Sequence, residues 1–314
     1  MKRYVLAAGL ILLIISVTRC SFVDQTKETN APRVFGATYM TRNNPYFDVL
    51  NDALTQVVEG NGDILISRDP CQDQEKQNGQ ILEMIGEGID ILFLNPVDRE
   101  AVRPALEACR EAGVVVINID AVVKDREYVT SIIETDNYQA GVLCAEDMMR
   151  RVDEARIVVI DSPGQTSIID RLEGFMDTIE GNDNYQVVYR GSNSGEFEIA
   201  AEVMEEALLQ GVEFNVVLGG NDPSALGALA TLQQYRREDG VLIYGIDGSP
   251  DFKGMLKLGY VTGTSAQSPE TIGRVAAEIA YKYLDGEAVP EYLSIEPYLI
   301  TEENLDNYEV NGWQ

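Results

Sequence analysis

Val34-Phe35-Gly36-Ala37-Thr38-Tyr39, followed closely by Asn43-Asn44-Pro45-Tyr46-Phe47, reads as a strand running into a helix. The first run is short, continuous and apolar, as in a strand covered on both faces. From Phe47 to Val58 the chain is amphipathic at helical spacing. Asn44 suits the N-cap, and Pro45 suits the first helical position, where its missing N–H has no partner to lose. Two aromatics, Tyr46 and Phe47, then leave the first helical turn. They either pack beneath a loop or face a ligand above the carboxyl end of a sheet, where open α/β folds bind small molecules. The junction alone leaves both readings open.

The alternation continues outward from this unit. Strands are expected at Asp63–Ser67, Asp90–Leu94, Val114–Ile119, Ile157–Ile160, Val187–Tyr189, Val216–Leu218 and Leu242–Ile246. Helices are expected at Gln74–Gly86, Arg99–Ala112, Tyr138–Arg151, Ile168–Glu180, Ile199–Gln210 and Ser224–Tyr235, with glycines such as Gly113 and Gly211 closing them. This pattern specifies βα units and parallel sheets, an α/β fold. It breaks between Asp120 and Asn137, where Tyr128–Ile133 reads as a strand with no helix before it and fits a linker between two lobes. Val261–Ala266 and Leu293–Ile300 are the second and third candidate crossings. Two lobes joined by crossings enclose a cleft with a hinge.

The 314 residues suffice for two such lobes. Ahead of them, Lys2 and Arg3 precede an uncharged run from Tyr4 to Thr18, then Arg19 and Cys20. A basic start and a short apolar core describe an export signal over residues 1–19, too short for the roughly 20 apolar residues of a spanning helix. Val17-Thr18-Arg19-Cys20 resembles a bacterial lipobox with Cys20 as the lipidated residue, although Arg19 stands where a small residue is usual. An uncleaved signal anchor, or cleavage elsewhere, is the alternative. Residues 20–33 read as a polar tether. The formal net charge is −28, a surface that repels nucleic acid and serves solubility.

Histidine is absent, which removes Ser-His-Asp and Cys-His catalysis and the commonest transition-metal ligand. Beyond Cys20 there are only Cys71, Cys109 and Cys144, with no C-x-x-C, so neither a disulfide framework nor a zinc site is expected. Each reads as a small buried apolar residue, with a Cys71–Cys109 pair left open. There is no G-x-G-x-x-G, Walker A or G-x-S-x-G motif. No cofactor, metal or catalytic residue is expected. The only tryptophan, Trp313, lies next to the C-terminus, where it is expected to report poorly on a cleft.

Polar residues recur just after strands: Asn95-Pro96, Asp120, Asn221-Asp222-Pro223, Asp247-Gly248 and Gln267. Each alone reads as a cap or a turn. In parallel sheets all of them share an edge with Asn44 and Tyr46, forming a rim of amides and carboxylates. Such a rim suits a neutral polyhydroxyl ligand, because each group can address two hydroxyls while aromatic faces cover the C–H face of a ring. Arg171, early in the helix from Ile168, is either an exposed charge or a donor in the cleft.

On these residues the chain resembles the type I periplasmic sugar-binding proteins, closest to the ribose-binding group that serves ABC importers. The resemblance runs from Val34 to Ile300 and rests on Asn43–Phe47, Asn95-Pro96, Ile119-Asp120, Arg171 with Glu173-Gly174-Phe175, Gly220-Asn221-Asp222, Gly245–Gly248 and Ala266-Gln267. It implies two Rossmann-like lobes, residues 34–135 with 268–294 and residues 136–267 with 295–314, joined by crossings near Thr135, Gln267 and Ser294. It implies stacking by Tyr46 and Phe47. It also implies hydrogen bonding to a monosaccharide or polyol by Asn44, Asn95, Asp120, Arg171, Asn221, Asp247 and Gln267. Implied too are export, lipid anchoring through Cys20 to the outer face of the cytoplasmic membrane, a monomeric state and an ABC permease as partner. A sugar-sensing receptor signalling to a membrane kinase or chemoreceptor would use the same cleft. Three positions depart from the ribose-binding pattern: Ala121 where an arginine is usual, Met40 where a small hydroxyl residue is usual, and Gly195 where an aromatic is expected, with Phe197 two residues on. A sugar other than ribose is the expectation.

Overall fold

The computed structural model describes residues 31–192 and 194–313. The expected export signal and Cys20 lie outside the described residues. The chain begins with β1 (Val34–Thr38), α1 (Pro45–Gly60), β2 (Ile64–Arg68), α2 (Gln74–Gly86), β3 (Ile91–Leu94), α3 (Arg103–Ala112), β4 (Val115–Ile119) and β5 (Ser131–Thr135). A second series comes next: α4 (Asn137–Arg151), β6 (Ala155–Asp161), α5 (Thr166–Ile179), β7 (Tyr185–Ser192), α6 (Phe197–Leu209), β8 (Val216–Gly219), α7 (Asp222–Tyr235), β9 (Leu242–Asp247), α8 (Pro250–Lys257) and β10 (Gly263–Ala266). The chain ends with α9 (Pro269–Leu284), β11 (Tyr292–Ile295) and β12 (Tyr298–Thr301).

Two six-stranded sheets result, ordered β11-β5-β4-β3-β1-β2 and β12-β10-β9-β8-β6-β7. Among the described residues every strand pair is parallel except β10–β12. The orders correspond strand for strand, so the chain builds one lobe twice. In each, the order reverses beside the first strand, β1 or β6, which opens a crevice at the carboxyl ends. Helices cover both faces of each sheet. In the first lobe Leu50 and Leu54 of α1 and Ile272 and Ala276 of α9 pack on Phe35, Ile117 and Ile133. In the second lobe Cys144 of α4 and Phe175 of α5 pack on one face, and Met204 and Leu232 on the other.

Several boundaries differ from expectation. Tyr128–Ile133 is not a linker strand: a 3-10 turn at Arg126–Tyr128 leads into β5, which adds to the first sheet beside β4. Leu293–Ile300 is not one strand. β11 pairs with β5 in the first sheet and β12 with β10 in the second, so the chain changes lobe at residues 296–297. Apolar content alone cannot show this, because both halves are half-buried and similar. The helix expected from Arg99 begins at Arg103, since Asp98 first caps a turn by accepting from the Glu100 and Ala101 N–H groups. Cys71, Cys109 and Cys144 are all free, which removes the Cys71–Cys109 pair. Cys109 and Cys144 are buried, whereas Cys71 is exposed in a left-handed turn at φ 55° ahead of α2.

Candidate functional site

The crevices of the two sheets face one another across a cavity of ≈190 Å³. One water needs about 10–15 Å³ on the same measure, so the space takes on the order of a dozen water-sized groups. Asn44, Tyr46, Phe47, Asp120, Arg171, Asn221, Asp247 and Gln267 all line it. Asn95 does not; it stands behind Asp120. Thr41, Gln72, Gln165, Ser167, Ser194, Glu196 and Glu198 also line it, beyond the residues that the sequence pattern marks. Of these, Gln165 sits just before α5 and comes after β6 as Asn44 comes after β1, the one signal that could have found it. Phe197, the first residue of α6, puts an aromatic on the second wall, with Gly195 beside it.

On the first wall Asn44 caps α1, its Oδ1 accepting from the Tyr46 N–H at 3.0 Å. Tyr46 and Phe47 meet edge to face with ring centres 5.3 Å apart, and Phe47 leans on Tyr39 at 5.8 Å. The rings therefore brace one another. Asp120 follows β4 at φ 63°, a left-handed conformation that costs about 1–3 kcal/mol in a residue other than glycine. Its carboxylate accepts from Asn95 Nδ2 at 2.8 Å, while Asn95 Oδ1 accepts from the Met40 N–H at 2.9 Å. Burial raises the Asp120 pKa, and the Arg171 charge opposes that.

On the second wall Asn221 caps α7 by accepting from the Ser224 N–H, and its Nδ2 donates to the Gly195 carbonyl at 3.0 Å. Gly195 has φ 78° and an added Cβ would press on that Asn221 amide, so the loop needs glycine here. Arg171 comes from α5, which lies unusually close to α4. A side chain at Gly141 would collide with the Arg171 carbonyl, and one at Gly174 with the Tyr138 carbonyl. This close approach delivers the guanidinium to the cavity, 3 % exposed. Arg171 Nε donates to Asn137 Oδ1 at 2.8 Å and Nη1 to the Gly220 carbonyl at 2.9 Å, with Asp247 Oδ1 3.6 Å from Nη1. Asp247 Oδ1 accepts from Gln267 Nε2 at 2.6 Å, but its buried Oδ2 has no partner among the described residues. Burial pushes the Asp247 pKa up to about 8, partly offset by Arg171.

The hinge joins the walls. Gln267 Oε1 accepts from Thr135 Oγ1 at 2.7 Å and from the Tyr46 hydroxyl at 3.3 Å. The Tyr46 hydroxyl also lies within hydrogen-bonding reach of Asp120, and burial, with the charges of Asp120 and Asp247, holds its pKa well above the usual value. Across the cleft, Thr166 Oγ1 donates to the Val122 carbonyl at 3.0 Å. Trp313 corrects the expectation of a remote reporter: its ring meets Tyr46 edge-on at 5.8 Å.

The arrangement offers carboxylate acceptors on both walls, a guanidinium donor, amides and aromatic faces. Groups of these kinds can hydrogen-bond hydroxyls and cover ring C–H groups. Among the described residues no group of histidine, cysteine and acidic side chains could hold a metal ion.

Residues 35–288 match the family model of the periplasmic binding protein domain. The ribose import binding protein RbsB of Bacillus subtilis is 29% identical over 261 residues, covering 82% of this chain and 84% of the relative. An ABC transporter solute binding protein from Mycobacterium smegmatis, solved with bound glycerol, is 28% identical with a TM-score of 0.83, covering 88% of this chain and 96% of that one. One from Bacillus halodurans with bound myo-inositol is 26% identical with a TM-score of 0.83, covering 89% and 98%.

Proposed function

The chain belongs to the periplasmic binding protein family, and we propose that it captures one monosaccharide or polyol between its lobes and delivers it to an ABC importer. One observation carries this reading: carboxylates at corresponding strand ends of two lobes, Asp120 and Asp247, line one cavity beside Arg171 and the aromatics Tyr46, Phe47 and Phe197. The similarity to ribose-import and polyol-binding relatives supports it. Ligand hydroxyls donate to the carboxylates and accept from Arg171, and closure excludes water, so a missing hydroxyl leaves a buried partner unpaired. Asn44, Asn221 and Gln267 supply further amide contacts, while Asn95 holds Asp120.

As a family member the chain is an exported periplasmic protein. Lipidation of Cys20 would tether it at the outer face of the cytoplasmic membrane, next to the permease, where it acts as a monomer. The ligand differs from ribose, because Ala121 is buried in the first lobe and offers no donor to the cavity. The Tyr46 hydroxyl stands by Asp120 instead.

A thermal-shift screen of D-ribose, deoxysugars, hexoses, inositols and short polyols tests the reading. Ligand at 100 times its Kd stabilises by about 2.7 kcal/mol, an easily measured rise in Tm. Silence across the panel overturns sugar capture. Ribose binding more tightly than every other compound overturns the narrower statement about its identity.

A further inference from the structure

The last residues of the described chain cross from one lobe to the other within a few positions. Tyr308 and Val310 pack on the core of the second lobe, where Tyr308 stacks on Tyr298 with ring centres 5.2 Å apart. Lys253 of α8, wholly buried in that lobe, donates from Nζ to the Glu309 carbonyl at 2.7 Å and to the Gly312 carbonyl at 2.6 Å. Trp313, the next residue, packs on the core of the first lobe and meets Tyr46 edge-on. A buried ammonium is costly unless its donors are used. Here two of its donors are spent on the tail backbone, so the tail is fastened to the second lobe while its indole rests on the first.

We propose that residues 308–313 form a strap across the hinge and that Trp313 is a positioning residue for ligand binding: it holds the Tyr46 ring in the cleft wall and favours the closed arrangement of the lobes. The proposal rests on the sugar-cleft reading. Its basis is geometric, because opening the cleft moves Tyr46 relative to Lys253 and must loosen either the indole contact or the ammonium's grip. A contact present in one arrangement and absent from the other shifts the equilibrium by its own differential free energy. An edge-to-face aromatic pair contributes enough to change affinity about three- to tenfold.

The test uses the whole mature protein, the variants W313A and W313F, and a chain ending at Val310. Calorimetry gives Kd for the tightest compound of the thermal-shift panel, and small-angle scattering gives the radius of gyration without added ligand. The expected results are Kd about three- to tenfold weaker for W313A and the shortened chain, a larger radius for both, and recovery by W313F. In the native chain the sole tryptophan should change its emission as ligand is added. If W313A lowers Tm while leaving Kd, radius and their ligand response unchanged, Trp313 only packs and the strap is overturned. A panel with no binder defeats the sugar reading instead; the radius alone then decides the strap, with equal values overturning it.

Discussion

Asp120 and Asp247 occupy corresponding places in the two lobes, each at the carboxyl end of the strand next but one to the strand where the sheet order reverses. Both adopt positive φ, 63° and 151°. Their surroundings differ. Asp120 is held by Asn95, itself anchored to the Met40 backbone, beside rings that brace one another. Asp247 shares Arg171 and Gln267 and keeps one buried oxygen without a partner among the described residues. The first wall is thus braced by its own side chains, and on the proposed reading a ligand hydroxyl would complete the second. On that reading, one wall would accept a ligand while hydrogen bonds made by the other would favour closure.

Arg171 is where the comparison breaks most readily. R171M strands the buried Asp247 and removes the proposed ligand donor. Loss of one partner of a buried ion pair costs about 3–5 kcal/mol, so at pH 9, where Asp247 is ionised, calorimetry should show binding weakened beyond about 100-fold and Tm should fall even without ligand. Next come D120N and D247N, which should differ in kind. Each weakens binding by about 1.5–3 kcal/mol, the value of a hydrogen bond to a charged group. D120N should also lower the ligand-free Tm, since it disturbs the Asn95 arrangement. D247N should leave Tm unchanged or raise it at pH 9, since it relieves a carboxylate that resists ionising.

The pKa of Asp247, raised to about 8, sets the pH dependence. The stability that its protonated form contributes is complete below the ordinary carboxylate range and is lost as pH rises through about 8. A ligand that donates hydroxyls to the carboxylate favours the ionised form. Kd should therefore tighten from pH 6 to pH 8 and level off above, and D247N should flatten the curve; a flat curve in the native protein would place no ligand hydroxyl on Asp247. Smaller still is Y46F, which removes the hydroxyl between Asp120 and Gln267 while keeping the ring. Its cost should be about 1 kcal/mol in binding, visible as a few-fold change in Kd. The smallest effect belongs to the hinge. Glu134, with its pKa raised by burial to about 7, accepts from Asn137, which in turn accepts from Arg171. E134Q should abolish the modest loss of Tm between about pH 5 and 7 and leave Kd at pH 8 within twofold.

Much of this site is legible in the sequence because strand ends are legible. Asn44, Asp120, Asn221 and Asp247 each come after a continuous apolar run, and parallel βα units bring such positions to one edge. The residue type just past a strand is a local property of the chain. The atom that then faces the cavity is not. Asn95 fits the pattern as well as Asp120 does, yet its amide is turned behind Asp120 by the Met40 N–H and the Ile119 carbonyl. Glu196 and Glu198 carry no strand-end signal, and they line the cavity from the start of α6, just after the turn at Gly195.

By itself the sequence determined the alternation of strands and helices, the doubling of the lobe, the caps at Asn44 and Asn221 and the exclusion of histidine chemistry. These depend on residue type and on spacing within a dozen positions, where periodicity and capping act. Long-range packing settles that residues 292–301 divide between two sheets, that Cys71 is exposed, that Asn95 supports rather than lines, and that Trp313 returns to Tyr46. Each depends on contacts between residues far apart in the chain, whose energies rest on close approach and hydrogen-bond geometry that no local pattern encodes.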